Sequence, residues 1–219
     1  MNKAINIATG DWINFMNAGD SFVGLDTVSK AMNKLSNKTD ILYGDHYYVD
    51  GDKKELRKSN IKKVYSDITF NHQSMFYKTS VIKEYRFDES FKIVADCEMH
   101  LKAYKDRKKF QYLDMSVANF LAGGVNNKFR INTIIEFIHA LTLHIPKDKD
   151  IRETSIFKLL ILENSISIND TLVNSSNVFD SLKRHIERLC DISFARNPMK
   201  KIESYKALLK YYNLIKEIK

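Results

Sequence analysis

The stretch that decides the fold runs from residue 2 to residue 20 and reads NKAINIATGDWINFMNAGD. Its first part, through Thr9, has the apolar spacing of the closing turns of a helix. Gly10 is placed to end that helix in the left-handed conformation. The run 12–16 is apolar and β-prone, and 17–20 has the composition of a polar turn. The stretch therefore predicts a helix, a strand and a turn in direct succession.

The same alternation continues along the next hundred residues. Apolar side chains recur at helical spacing in 25–35, and Asp96 opens a second helix that runs to Tyr104. Short apolar runs predict the remaining strands, with one further short helix at 80–85. These strand runs are 40–45, 47–50, 72–77 and 110–120. Strands that alternate with helices indicate an α/β fold with helices on the faces of the sheet.

Glycine and proline divide the chain near residue 128. All seven glycines precede residue 125, and both prolines, Pro146 and Pro198, follow it. Helical stripes of apolar residues dominate the second part, over 131–141, 179–189 and 202–215. We predict an α/β core over 1–128 and an all-helical C-terminal extension over 129–219, whose stripes pack on the core or on one another.

Composition leaves several function classes open and weakens others. The chain has 219 residues, a net charge of +8 and two cysteines, Cys97 and Cys190. Few cysteines, no spanning apolar run and a polar N-terminus favour a cytoplasmic protein. The positive charge suits an anionic ligand or peripheral contact with a membrane surface, although a solvated lysine surface is the simpler interpretation. No nucleic-acid-binding motif is present, so we expect no nucleic-acid partner.

Three aspartates stand where chemistry is expected. Asp20 and Asp45 each follow a predicted strand, and ligands of open α/β sheets bind beyond the carboxyl ends of strands. Asp96 lies at a predicted helix N-terminus, where the helix dipole favours its charge. Such carboxylates can hold Mg²⁺ or Mn²⁺, but they also serve as turn or capping residues. His100, four residues after Asp96, predicts a helix salt bridge more than a metal cluster.

Five blocks in fixed order resemble the family 2 glycosyltransferases, whose catalytic domain has the GT-A fold. They are residues 2–20, Leu42 to Asp45, His72 to Phe76, Phe87 and Asp88 with Ile93 to Asp96, and Phe120 to Val125. The resemblance implies transfer of a sugar from a nucleotide-diphosphate donor to a saccharide or lipid-linked acceptor hydroxyl. The setting that it implies is the synthesis of bacterial surface polysaccharide.

The resemblance also implies a role for each matched residue. Asp20 corresponds to the last acid of the family's metal-binding turn, which holds Mg²⁺ or Mn²⁺ and the donor diphosphate. Gly19 stands where many members have a second aspartate. Asp96 corresponds to the general base that removes the acceptor proton. The positions matched to the donor or acceptor pocket are Asn17, Asp45, His72, Gln73 and Gly124.

The chain begins inside the family pattern. Members open with a Pro-x-Tyr-Asn type strand, and their first two strand-and-helix units hold the base and ribose of the donor. We therefore expect a GT-A-like, Rossmann-like mixed sheet that lacks its first strands, with an open edge at 12–16. A separate N-terminal half or a second copy of the chain would cover that edge. The alternative hypothesis is a catalytically inactive fragment that acts as a binding or assembly module.

Overall fold

The computed structural model describes residues 1–123 and 130–159, and these build one mixed sheet with helices on both faces. Its helices include α1 (Asn2–Ile7), α2 (Thr27–Asn33), α3 (Thr79–Tyr85), α4 (Ala95–Lys105) and α5 (Arg130–His144), and residues 155–159 are also helical. Its six strands are β1 (Trp12–Ile13), β2 (Ser21–Phe22), β3 (Ile41–Asp50), β4 (Lys53–Arg57), β5 (Met75–Lys78) and β6 (Phe110–Leu121). Single 3₁₀ turns cover Ile61–Lys63, His72–Ser74 and Ile151–Glu153.

The sheet is organised around the parallel pair β3 and β6. Its strand order is β1-β5-β3-β6-β2, with β4 paired to β3 as a hairpin. β5 runs antiparallel to β3, β1 antiparallel to β5, and β2 antiparallel to β6. The mixed α/β fold predicted from the alternation of strands and helices is confirmed. β1 forms one end of the described sheet, as expected for the strand after Gly10.

The first stretch is shorter in regular structure than its sequence predicts. α1 ends at Ile7, its C-cap Ala8 is extended, and Gly10 is not among the residues with positive φ. The prediction of a left-handed C-cap at Gly10 is therefore wrong. β1 covers only two residues. Directly after it, the side chain of Asn14 extends the contact between this segment and the residues at the start of β5. Asn14 Nδ2 donates to the carbonyl oxygens of Gln73 (2.9 Å) and Met75 (2.8 Å).

β3 is one strand of ten residues where the sequence predicts two. At Gly44 and Asp45 the register of β3 with β6 shifts, but the pairing with β6 continues on both sides of this irregularity. A Cβ atom on Gly44 would lie 2.6 Å from both the Met115 carbonyl oxygen and Val117 Cγ2 of β6. Only glycine lets the two central strands approach this closely. Asp45 therefore lies inside a strand, and its predicted position after a strand is wrong.

The two faces of the sheet carry separate apolar cores. The smaller core lies under α2 and includes Ala31, Leu42 and Val117. The larger one joins the other face of the sheet to α4 and α5, and includes Tyr77, Met99 and Ile135. α5 is buried along most of its length from Thr133 to Leu141.

The part of the predicted extension that the structure describes, residues 130–159, contributes to the larger core. Ile151, Ile156 and Phe157 are buried in it together with α5. A division at 128 stays a prediction. The apolar stripes at 179–189 and 202–215 lie outside the described residues, as does Gly124. Within residues 1–123 and 130–159, none of the helices has the length and apolar character needed to cross a membrane.

Candidate active site

The 3₁₀ turn His72–Ser74 joins the two acidic positions that the sequence singles out. Asn71 fixes the start of this turn, because its Oδ1 accepts a hydrogen bond from the backbone N–H of Gln73 at 3.0 Å. The adjacent side chains then diverge to different partners. His72 Nδ1 lies 2.8 Å from Asp96 Oδ2, and Gln73 Nε2 donates to Asp20 Oδ2 at 2.5 Å. One turn therefore links carboxylates that are far apart in the sequence.

Asp96 lies in the first turn of α4, as predicted, and only 14% of its side chain is exposed. Burial by itself would raise the pKa of this carboxyl group. The hydrogen bond and charge of His72, then His100 and the backbone N–H of Cys97, outweigh burial and lower the pKa of Asp96 to about 2. The side chain is therefore a carboxylate throughout the neutral pH range.

Asp20 closes the turn that follows β1. Its backbone N–H donates to the Asn17 carbonyl oxygen at 3.1 Å, and its Oδ1 accepts from the backbone N–H of Leu121 at 2.8 Å. Gly19 has a φ of 93° in this turn. An aspartate at that position would be strained, which gives a physical reason for glycine beside Asp20. Asn17 is exposed in the same turn.

Asp45 is buried and engaged by protein groups. Its Oδ1 accepts from the backbone N–H of Ser59 at 3.0 Å, and its Oδ2 accepts from the hydroxyl of Tyr112 at 2.9 Å. Burial and then the Asp45 hydrogen bond raise the pKa of Tyr112 to about 12. In this arrangement Asp45 fastens the segment after β4 to the centre of the sheet.

His46 is a residue near the site that the sequence motifs do not single out. Burial and then the charge of Arg57 lower its pKa to about 4, while the charges of Asp45 and Asp20 act in the opposite direction. His46 is therefore close to both aspartates in space and neutral at pH 7. His46 and Asp20 are 26 positions apart in the sequence, so no local pattern predicts that the charge of Asp20 acts on His46.

The predicted salt bridge between Asp96 and His100 is wrong. His100 Nε2 instead lies 2.8 Å from the hydroxyl of Tyr77, and the two rings are stacked. Burial lowers the pKa of His100 to about 4. The hydrogen-bond partner of Asp96 is His72, which comes from the 3₁₀ turn before β5 and not from α4.

Unpaired buried polar atoms concentrate around these residues. Within the described residues, six buried side-chain polar atoms have no hydrogen-bond partner, and five of them belong to the 72–74 turn or to histidines beside it. They are His46 Nδ1, His72 Nε2, Gln73 Oε1, Ser74 Oγ and His100 Nδ1. Each such atom costs about 1–3 kcal/mol of stability. Their concentration near two carboxylates is one reason to take this place as the candidate site.

Comparisons with solved structures find similar proteins at low identity. The S. aureus TarS fragment 1–349 is 15% identical, with a TM-score of 0.51 over 97% of this chain and 69% of that chain. The same fragment in complex with UDP-GlcNAc gives a TM-score of 0.55 over 97% and 70% of the two chains, also at 15% identity. The chain has a GT-A-type glycosyltransferase fold.

A longer TarS structure aligns with 94% of this chain and 41% of its own length, at 14% identity and a TM-score of 0.53. No protein-family model matches the sequence, and no curated protein matches it. The likeness therefore rests on the arrangement of elements described above, and the GT-A-type fold is what it establishes.

The residues of the candidate site supply only some of the ligands that a divalent cation needs. Among the described residues, no group of three or more histidine, cysteine, aspartate or glutamate side chains is arranged to hold a metal ion. Asp20 offers one carboxylate whose oxygens already accept hydrogen bonds from Gln73 and Leu121. Mg²⁺ needs only one or two carboxylates when substrate phosphates supply further oxygens. A cation at Asp20 would therefore need phosphate ligands from a bound donor.

Proposed function

We propose that the chain is a glycosyltransferase that moves a sugar from a nucleotide-diphosphate donor to a hydroxyl group of a saccharide or lipid-linked acceptor. The supporting observation is the pair of bonds made by the 72–74 turn, His72 to Asp96 and Gln73 to Asp20. This arrangement places the residue matched to the family's base and the residue matched to its metal-binding turn around one short segment. The GT-A-type fold is consistent with this assignment.

In the proposed reaction Asp96 is the general base. The acceptor hydroxyl gives its proton to the Asp96 carboxylate as its oxygen forms a bond to the anomeric carbon of the donor sugar. The bond from that carbon to the diphosphate oxygen breaks, and the nucleoside diphosphate leaves with the electron pair. A carboxylate of pKa about 2 is a weak base by itself. His72, bonded to Oδ2, orients the carboxylate so that the other lone pairs meet the acceptor.

Asp20, Gln73 and Asn17 form the proposed donor side. Gln73 is fully buried and holds Asp20 Oδ2, which fixes the orientation of the carboxylate. Mg²⁺ or Mn²⁺ bound there with the donor phosphates would neutralise the charge of the leaving diphosphate. His46, neutral and close to Asp20, adds a polar group to this side. Asp45 and Gly124 stay predicted pocket residues.

The donor and the pathway are the finer parts of the proposal. A similar structure, TarS 1–349, is described in complex with UDP-GlcNAc, so UDP-GlcNAc is the first donor to test. Surface polysaccharide synthesis at the cytoplasmic side of the membrane is the setting that the sequence resemblance implies. The net charge of +8 would favour peripheral contact with an anionic membrane in such a setting.

Calorimetric titration of the purified chain with UDP-GlcNAc and a panel of other nucleotide sugars, with and without Mn²⁺, tests the donor assignment. Asp20→Asn should weaken the Mn²⁺-dependent part of donor binding. Asp96→Asn should leave binding in place and abolish nucleotide release in the presence of acceptor. Asp52→Asn, an exposed carboxylate in the β3–β4 turn, is the matched control. Absence of saturable binding to every donor would favour the alternative, a non-catalytic binding or assembly module.

A further inference from the structure

The start of α4, the helix that carries Asp96, is held by a residue of another helix. Its N-cap residue is Val94, which offers no side-chain oxygen to the exposed N–H groups of the first turn. Within the first turn the N–H of Cys97 donates to Asp96 Oδ1 at 2.8 Å, whereas the N–H groups of residues 92–94, which lead into the helix, need an acceptor from another element. The sequence before Asp96 contains no serine, threonine or asparagine in the three positions that would supply it locally.

The acceptor is the carboxylate of Glu136, which comes from α5. Its Oε2 lies 3.0, 2.8 and 3.3 Å from the backbone nitrogens of Lys92, Ile93 and Val94, and its Oε1 lies 3.2 Å from the nitrogen of Lys92. Glu136 is only 2% exposed. Three successive N–H groups therefore converge on one buried negative charge at the positive end of the helix dipole.

Glu136 acts immediately beside the candidate base. Val94, the last residue that it holds, is the N-cap of α4 and lies two residues before Asp96, which is in the first turn of the helix. The distance of 2.8 Å between His72 Nδ1 and Asp96 Oδ2 depends on where that first turn lies. A displacement of about 1 Å at a reacting group can lower a rate by about a hundredfold.

We propose that Glu136 is a positioning residue, which sets the place of the Asp96 carboxylate by fixing the backbone of residues 92–94. The catalytic part of this inference rests on the proposed function, whereas the positioning part does not. It gives α5, from the predicted C-terminal extension, a role at the reaction centre. The sequence feature that points to this role is a single acidic residue between Ile135 and Phe137, because the neighbouring residues of the helix are apolar or uncharged.

The test compares Glu136→Gln with a control on the same pair of helices. Lys105→Met removes the contact of Lys105 Nζ with the Leu143 carbonyl oxygen, which also joins α4 to α5 but lies at the far end of α4. Two readouts need no substrate: amide hydrogen exchange of residues 92–97, and the NMR resonance of the His72 Nδ1 proton. Asp96→Asn assigns that resonance, because the amide replaces the carboxylate that holds the proton.

In Glu136→Gln, exchange of the 92–94 amides should be at least about tenfold faster, and the His72 proton resonance should move or broaden. Lys105→Met should keep both as in the wild type. Once a donor is known, Glu136→Gln should lower kcat by about tenfold to a hundredfold with the donor KM unchanged. If Glu136→Gln does not fold, Glu136→Asp, which keeps the charge on a shorter side chain, should show the same changes to a smaller extent.

The outcomes separate the two proposals. Unchanged exchange and an unchanged His72 resonance in a folded Glu136→Gln protein would overturn the positioning role, whatever the activity. If the NMR readouts change in Glu136→Gln but the wild-type chain binds no nucleotide sugar, the positioning role is supported and the proposed function is not.

Discussion

Replacing Asp96 with asparagine removes a charge that His72 holds in the folded protein, and the effect on stability should depend on pH. The pKa of Asp96 is about 2 in the fold, against 3.8 for the ordinary side chain. Because one pKa unit corresponds to about 1.4 kcal/mol, the ionised carboxylate contributes about 2 kcal/mol to the free energy of unfolding.

The sign follows from the lowered pKa. A carboxyl group that is more acidic in the folded than in the unfolded state stabilises the fold above its unfolded-state pKa. That stabilisation is lost as the pH falls through the folded-state value. The contribution of Asp96 should thus be complete above about pH 5 and decline between about pH 4 and pH 2. Asp96→Asn has no such contribution at any pH.

Urea unfolding followed by circular dichroism, at a series of pH values from about 2.5 to 6, measures this difference. The wild type should be more stable than Asp96→Asn by an amount that grows by about 1.5–2 kcal/mol as the pH rises over that range. His72→Gln should flatten the wild-type dependence in the same way, and Asp52→Asn should not. A difference that stays constant within about 0.5 kcal/mol from acid to neutral pH would refute the His72–Asp96 coupling.

Four further substitutions test the sheet, the turns and the contact of Asp45. Gly44→Ala should destabilise the fold by about 1–3 kcal/mol in urea unfolding, because β3 must move away from β6. Gly10→Ala, whose Cβ would lie 3.8 Å from the Trp12 carbonyl oxygen, should change stability by less than about 0.5 kcal/mol. Asp45→Asn should lower the phenol pKa of Tyr112 from about 12 toward its ordinary value in a spectrophotometric titration, and an unchanged titration would contradict the contact. Gly19→Asp should cost about 1–3 kcal/mol and should not tighten Mn²⁺ binding in calorimetry, although it adds a second carboxylate beside Asp20; tighter binding would show that the positive φ does not constrain this turn.

Local patterns predicted only part of the secondary structure that carries the site. The run 72–77 was predicted as one strand, whereas residues 72–74 form a 3₁₀ turn and β5 begins at Met75. The spacing of apolar residues predicted the α4 helix and the β6 strand close to their observed bounds, since helical and strand periodicities are properties of neighbouring residues. The same reasoning failed at Gly44 and Asp45, because the sequence predicted that a strand ends there and β3 continues. The actual role of Gly44 is to admit a second strand at close range, and this depends on β6, which lies about seventy residues later.

Partner choice within the site was not predictable from local sequence. His100 is the nearest histidine to Asp96 on the same helix, yet His72 is its hydrogen-bond partner. Asp45 matched the position of a ligand-binding acid, yet both of its oxygens accept hydrogen bonds from Ser59 and Tyr112. These outcomes depend on side-chain directions across strands and turns, which a sequence pattern does not specify.

The sequence by itself determined the alternation of strands and helices, the glycine-rich turns and the short blocks that contain Asp20, His72, Gln73 and Asp96. It could do so because each of these features is set by residues within a few positions of one another. Only the tertiary structure decided that one 3₁₀ turn bonds both Asp20 and Asp96, and that Glu136 of α5 accepts hydrogen bonds from the segment before α4. Those contacts join residues separated by 24 to 53 positions in the chain, so they exist only once the sheet register and the helix packing bring the elements together.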